Sequence, residues 1–473
     1  MPKDLRSFLT RIKKYGRDYY LETQKALDPV YEVSLVQQML AKSGRYPVVL
    51  FKKVNGSKLQ LVANLFGSYD LLGLALDVPH SELSRWRRDL VLEVFRTRQA
   101  NPLPVKEVAE DEAPVREVVW QGDDVTLDRF PITKQAQLNS GKYVPIGLTI
   151  LRDPDNGRIN VGVYRQEVKG PKRLACMIVS SHHGAAIARR YAELGEKMPV
   201  VTIIGHHPAT AIAAASTRPQ TIEDEFQFIG GILGESLGVT RGLTVDLPVP
   251  ARAEICIEGI IDTLQIESEG PFSEGAGYYG EGKPCYVAQL TAISMRKDAI
   301  YHDLNPVHQE HNLVGLLQRE LNLWGRVEAA GVDVRSVHIG PDGQCGKVIM
   351  YIAIRKKNPD DARKAGEAAV SGDFAKVAIV VDDDIDVFDQ GEVLWAVATR
   401  SNDTDILTAV PTRNTGPAED VAGLNSDGGR LAPLTSKLII DATRPIGKVK
   451  NVRVVPPHDV WERLKLEDCF KKY

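Results

Sequence analysis

No apolar run in this sequence is long. The longest, such as Val377 to Val381, fall far short of the roughly 20 residues a membrane helix needs, so no membrane partner is expected. Met1-Pro2-Lys3-Asp4 leads into no apolar segment of the secretory kind, which predicts a cytoplasmic protein. The five cysteines (Cys176, Cys256, Cys285, Cys345 and Cys469) show no CxxC spacing. That argues against a zinc ribbon or a disulfide framework and leaves free thiols. Charge is nearly balanced, at a formal net of -3, so no basic surface for nucleic acid is expected. No GxxxxGK[ST] element occurs, and the P-loop reading lacks support. Internal repeats and low-complexity segments are absent too.

What remains is an ordinary globular composition, 43% hydrophobic and 26% charged, over 473 residues, which predicts two or three domains. Leu5, Phe8, Leu9 and Ile12 recur at helical spacing, so the chain opens on an amphipathic helix. Segments 47–52 and 59–64 read as strands around an Asn55-Gly56 turn. Pro102, Pro104, Pro114 and neighbouring acids mark 101–114 as an exposed linker and place the first boundary there. From 115 onward strands dominate: 146–151, 159–164, 200–204, 253–259 and 286–293, interrupted by helices near 183–194 and 222–236. Many strands with few helices predict a barrel or a strongly curved sheet. A helical pattern over 309–330 leads into strand 347–354, helix 359–370, strand 376–382 and helix 388–399, a βαβ layer. The expected domains are 1–114, 115–308 and 309–473.

Several segments carry chemistry. Glu269-Gly-Pro-Phe-Ser-Glu274 sets two carboxylates five residues apart in a Gly/Pro-rich loop, followed by Gly277-Tyr278-Tyr279. Such a pair divides into an ionised partner and a protonated acid when the environments differ; as a solvated turn, both acids simply face water. In Asn160-Val-Gly-Val-Tyr-Arg165, Asn160, Gly162 and Tyr164 share one strand face and Arg165 the other. An arginine there holds a carboxylate through its fork, or faces solvent on an edge. Ser180-Ser181-His182-His183-Gly184 stands at a strand-to-helix junction, where an imidazole binds metal and free amides bind phosphate, or where a serine merely caps the helix. Glu223-Asp224-Glu225 begins a helix, where acids usually complement the dipole. An Asn, His and Glu set suits Mn2+ or Mg2+ better than a thiophilic metal. Asp382 to Asp386 reads as helix capping and solvation, with a metal site as the alternative. Cys345 reads as an incidental thiol, because no base accompanies it.

In order and spacing these segments resemble the UbiD family of prenylated-flavin decarboxylases over nearly the whole chain. Asp4-Leu5-Arg6-Ser7-Phe8-Leu9, Asn64-Leu65-Phe66-Gly67-Ser68, Arg152-Asp153-Pro154, Arg296 to His302 and Ser436 to Thr443 add to the match. The resemblance implies an N-terminal α/β domain, a central split β-barrel that binds the cofactor and a C-terminal α/β domain used in oligomerisation, as a homodimer or homohexamer. It makes Arg165, Glu269 and Glu274 the catalytic set. Asn160, His182 and Glu225 become ligands of a divalent metal, usually Mn2+, shared with the flavin phosphate and with K+ nearby; Lys376 contacts that phosphate. The implied reaction is reversible, non-oxidative decarboxylation of an aromatic, heteroaromatic or α,β-unsaturated acid through a covalent adduct with prenylated FMN. Glu274 is the proton donor, and a flavin prenyltransferase supplies the cofactor. Two positions depart from the family: Ser273 replaces a frequent glycine, and Glu274 replaces the aspartate of the ubiquinone-pathway branch, which points to another acid as substrate.

Other readings compete. An FMN-dependent oxidoreductase of split-barrel type predicts hydride transfer and leaves Glu269 and Glu274 without a task. A metal-dependent hydrolase using His182, Glu225 and residues 382–386 predicts activity without flavin, and a cofactor carrier predicts no CO2 release.

Overall fold

The computed structural model describes residues 2–83, 88–179, 182–275, 277–340, 348–372, 375–413, 434–447, 453–454, 456–464 and 469. The opening helix, Leu5–Ile12, buries Leu5, Phe8, Leu9 and Ile12. Asp4 and Ser7 cap each other across its first turn, which satisfies amides the helix itself leaves unpaired. Arg6 clamps the helix to the middle of the molecule through the fully buried Glu254, which Arg296 also reaches.

Tyr20–Thr23, Val48–Phe51 and Gln60–Ala63 form an N-terminal sheet, and the last two are the antiparallel hairpin expected around Asn55-Gly56. A fourth strand, Ile300–His302, joins parallel to Gln60–Ala63 from 240 residues downstream (Ile300 lies opposite Gln60). The sequence pattern had grouped that segment with the central strands, because a three-residue strand carries no signal of its partner. The expected linker is also partly ordered: Lys106–Glu107 pairs with Gly238–Arg241.

The central sheet has nine strands, and its pairings are antiparallel. Its spine is Ile255–Glu269 against Lys283–Met295, both longer than the sequence pattern indicated. Two register shifts interrupt that pair, and bulges of this kind bend long strands. The rolling of the sheet follows from connectivity. Ile159–Val163 lies at one end of the strand order and Gln166–Val168 next to the other, six steps away. Six steps in a flat sheet span about 29 Å. Three residues reach at most about 10 Å, so the sheet must curl until its ends meet. Gln166 ties that seam, donating to Thr149 at 3.0 Å and Thr202 at 2.8 Å. Tyr164 and Arg165 are the residues that cross it. The expected split barrel is therefore present.

The C-terminal sheet runs Val334–Ile339, Ile349–Ile354, Val377–Asp382, Leu434–Ala442, Ile406–Arg413. Ile352, Val380 and Ile439 bury with Ala362 and Ala365 of the helix Asp361–Val370; Tyr351, Val381 and Ala442 bury with Val393 and Ala396 of Gln390–Arg400. Covered on both faces, these strands read as continuous apolar runs. The helical stretch over 309–330 is two helices, Gln309–Leu313 and Leu316–Ala329, parted at Gly315, where a side chain would crowd Arg319 and Ala215. Glu320 of the second accepts from Tyr69 at 3.0 Å and bonds His338 at 2.8 Å, joining N- and C-terminal parts. No helix among the described residues is long and apolar enough to cross a membrane.

Candidate active site

Arg165 sits where the rolled sheet closes. Its Nε and Nη2 donate to the two carboxylate oxygens of Glu269 at 2.9 and 3.0 Å, and its Nη1 donates to Glu274 Oε1 at 2.6 Å. The guanidinium lies 4.5 Å from the centre of the Phe272 ring. Burial opposes the Arg165 charge, but the two carboxylates more than offset this and raise its pKa above the usual value. Glu269 closes the long strand Ile255–Glu269 and is wholly buried, whereas the Glu274 side chain is 25% exposed. The two acids thus occupy different environments, and neither simply faces water. Between them Phe272–Ser273 pairs with Tyr279–Gly280 as a small hairpin. Gly280 leaves room for the acid: a methyl there would stand 2.8 Å from Glu274 Oε1. Ser273 is buried, and its hydroxyl has no hydrogen-bond partner among the described residues.

A second cluster lies on the neighbouring edge strand. Asn160 Nδ2 donates to Glu225 Oε1 at 3.0 Å, and the Val161 amide donates to Glu225 Oε2. Tyr164 shares the Asn160 face as expected. Its hydroxyl lies 3.4 Å from Asn160 Oδ1, and its ring centre lies 5.8 Å from that of His182. Gly162 makes room for that ring, since a methyl there would meet it at 2.6 Å. Glu225 opens its helix, but it is buried rather than solvated; Asp224 is the cap. Burial pushes the Glu225 carboxyl up to about 7 against the pull of these hydrogen bonds. No ion pair among the described residues reaches it. Burial and the neighbouring His183 lower the His182 pKa, which favours a neutral imidazole able to coordinate a cation.

Asn160 and Glu225 open onto a cavity of ≈ 500 Å³ that Arg158, Arg189, Arg190 and Arg218 also line. His183, rather than His182, is in its wall. The helix His183–Leu194 starts there, directing free amides to the same place. The arginines escaped the sequence reading, although Arg189-Arg190, one turn or two beyond the paired histidines, was a legible sign. Lys376 is half-buried before Val377–Asp382 and is not among the cavity's lining residues.

Other expectations were corrected. Asp382 and Asp384 are not simply solvated: Arg400 pairs with both, at 2.5 and 2.8 Å, and Arg444 with Asp384. Asp389 caps the helix that follows. Cys176, Cys256 and Cys285 are buried, and burial raises all three thiols, Cys285 to about 11. Cys345, Ser180 and Ser181 lie outside the described residues. His302 and His308 are buried, and a methyl at Gly275 in the acid loop would stand 2.9 Å from His311 Nδ1.

Three family models of 3-octaprenyl-4-hydroxybenzoate carboxy-lyase match the chain in succession: the N-terminal domain over residues 16–88, the Rift-related domain over 106–308 and the C-terminal domain over 312–442. The UbiD-class enzyme HmfF from Pelotomaculum thermopropionicum, solved in complex with FMN, is 32% identical across 99% of this chain and 100% of its own, with a TM-score of 0.86. The chain belongs to the UbiD family. As a UbiD-family protein it is a carboxy-lyase. An evolved dimeric form of HmfF in complex with prFMN is 31% identical over 99% of this chain and 100% of its own, at a TM-score of 0.84. The apo 3,4-dihydroxybenzoic acid decarboxylase AroY of Klebsiella pneumoniae, 23% identical over 97% of this chain and 99% of its own, shares the UbiD fold at a TM-score of 0.84.

Proposed function

We propose that this enzyme removes CO2, reversibly, from an aromatic, heteroaromatic or α,β-unsaturated carboxylic acid, with prenylated FMN held through a divalent metal. One observation carries the reading: a single part-buried arginine is bonded at once to Glu269 and Glu274, acids 104 and 109 residues away in sequence. When bound, the prenylated flavin supplies the electron sink that side chains lack, because the electrons left behind by CO2 lie orthogonal to the substrate's π system. The chain's own residues do the rest. Glu269, rigid and buried, fixes the plane of Arg165. Arg165 offers its remaining N–H groups to the incoming carboxylate and offsets the charge of the two acids. Glu274, the more accessible acid, donates a proton to the carbon that CO2 has left.

The second cluster suits a metal and a phosphate. Glu225 is a buried carboxylate with no cationic partner at ion-pair distance among the described residues, and a divalent cation would complement it. Asn160 Oδ1, a neutral His182 and Glu225 form an oxygen-rich set of the kind Mn2+ or Mg2+ accepts. The arginine-lined cavity and the helix start at His183 favour a phosphate beside it. Lys376 as a phosphate contact, an accompanying K+, assembly as a homodimer or homohexamer and supply by a flavin prenyltransferase belong to the same proposal, on the strength of the family resemblance.

The test is CO2 release from a panel of aromatic and unsaturated acids, using protein co-expressed with a flavin prenyltransferase, for wild type and Glu274→Gln. Wild type should turn over at least one acid. The variant should keep its flavin spectrum and lose turnover by about 10²–10⁴-fold, because an amide cannot donate a comparable proton. Near-normal release by Glu274→Gln removes the acid from its role. Nicotinamide oxidation without CO2 release by wild type replaces the whole reading with an oxidoreductase.

A further inference from the structure

We propose that Asn139 is a positioning residue for this reaction, holding the hairpin that carries Glu274 against Arg165; the inference rests on the reading of Glu274 as proton donor. Three consecutive residues, Leu138 to Ser140, lie along both arms of that hairpin. The Ser273 amide donates to Asn139 Oδ1 at 2.8 Å. The Ser140 amide donates to Pro271 O at 2.9 Å, and the Leu138 amide approaches Tyr279 Oη at 3.3 Å. The hairpin itself is only two residues wide on each side, too short to hold its own shape. Its position is therefore set from outside, by this strap.

Asn139 is the one side chain in the strap that reaches hairpin backbone, and it is 2% exposed. Its orientation is determined by a chain of donors that runs one way. Asn139 Nδ2 donates to Gln135 Oε1 at 3.5 Å, Gln135 Nε2 to Thr133 Oγ1 at 2.6 Å, and Thr133 Oγ1 to Asp303 Oδ2 at 2.8 Å. In this order each amide presents its nitrogen toward Asp303 and its oxygen away from it. Asn139 is left with its carbonyl oxygen facing the hairpin, the acceptor the Ser273 N–H needs. Asn139 touches none of Arg165, Glu269 or Glu274 through these bonds; it acts on Glu274 through the adjacent peptide.

The experiment compares Asn139→Ala and Asn139→Asp with wild type and Glu274→Gln, all as flavin-loaded full-length enzyme. Asn139→Ala should lower kcat by about 10- to 100-fold through misplacement of the acid. KM should stay within a few-fold and flavin per chain should be unchanged. In protonated form, Asn139→Asp can still accept from Ser273 and donate to Gln135, and it should recover much of that loss. A wild-type kcat in Asn139→Ala beside an inactive Glu274→Gln overturns the strap alone. Loss of flavin in step with kcat, without rescue by Asn139→Asp, also overturns it, because the residue is then merely structural. Full turnover by Glu274→Gln overturns the donor reading and this inference with it.

Discussion

Arg165 has five N–H groups, and its two glutamates engage three of them: Nε, one on Nη1 and one on Nη2. Two, one on each terminal nitrogen, are not engaged by these acids. A lysine in its place keeps the charge but offers a compact ammonium, without a plane for Glu269 to lock or a face to lie over Phe272. Arg165→Lys is therefore expected to bind metal and flavin normally and to lose most CO2 release, on the order of 10²-fold. The measurement is CO2 evolved per bound flavin, and near-normal release would make the arginine structural.

The proposed metal site draws on three elements: the edge strand Ile159–Val163 brings Asn160, the start of the helix His183–Leu194 brings His182, and the start of the helix Glu225–Leu233 brings Glu225. Either adjacent histidine is in range of that junction, His182 beside Tyr164 and His183 in the cavity wall. His182→Ala is expected to give folded protein poor in both manganese and flavin, while His183→Ala keeps both. Elemental analysis and the visible spectrum read this directly, and the reverse pattern would move the ligand to His183. These elements were legible because each has its own periodicity. The helix at 183–194 and the turn at Asp153 to Gly157 come from local sequence, and the C-terminal strands from apolar runs. Arg165 with Glu269 was not legible in that way. Nothing in either segment states that a sheet curls until its ends meet, and only a family resemblance joined them. The pairing of Asp382 with Arg400 was missed for a similar reason, since a charge run looks the same whether it faces water or an arginine from the next helix.

Across the whole molecule, the interface between the N-terminal sheet and the barrel buries two acids. Glu310 is fully buried, near Gln37 and Phe66, and burial pushes its pKa up to about 8; Asp303 is buried beside it and is pushed up to about 7. A carboxyl whose native value lies above its unfolded one resists ionisation, so the protein loses stability as pH rises from near 4.5 to about 8. Each such group contributes a slope of about 1.4 kcal/mol per pH unit within its window. Glu310→Gln mimics the neutral acid. It is expected to raise the denaturant midpoint relative to wild type at pH 8 and to match wild type near pH 5. Parallel pH dependences in the two proteins would place the proton elsewhere.

The strand Ile300–His302 completes a sheet whose other three strands end by residue 63. A ribosome delivers the two parts far apart in time. While some 240 intervening residues are made (Ala63 to Ile300), Gln60–Ala63 has an unsatisfied edge, the kind of surface that recruits strands from other chains. The N-terminal region cannot mature as an early, independent unit. It must wait for the barrel's last long strand to be finished, and a nascent chain halted before His302 carries that open edge.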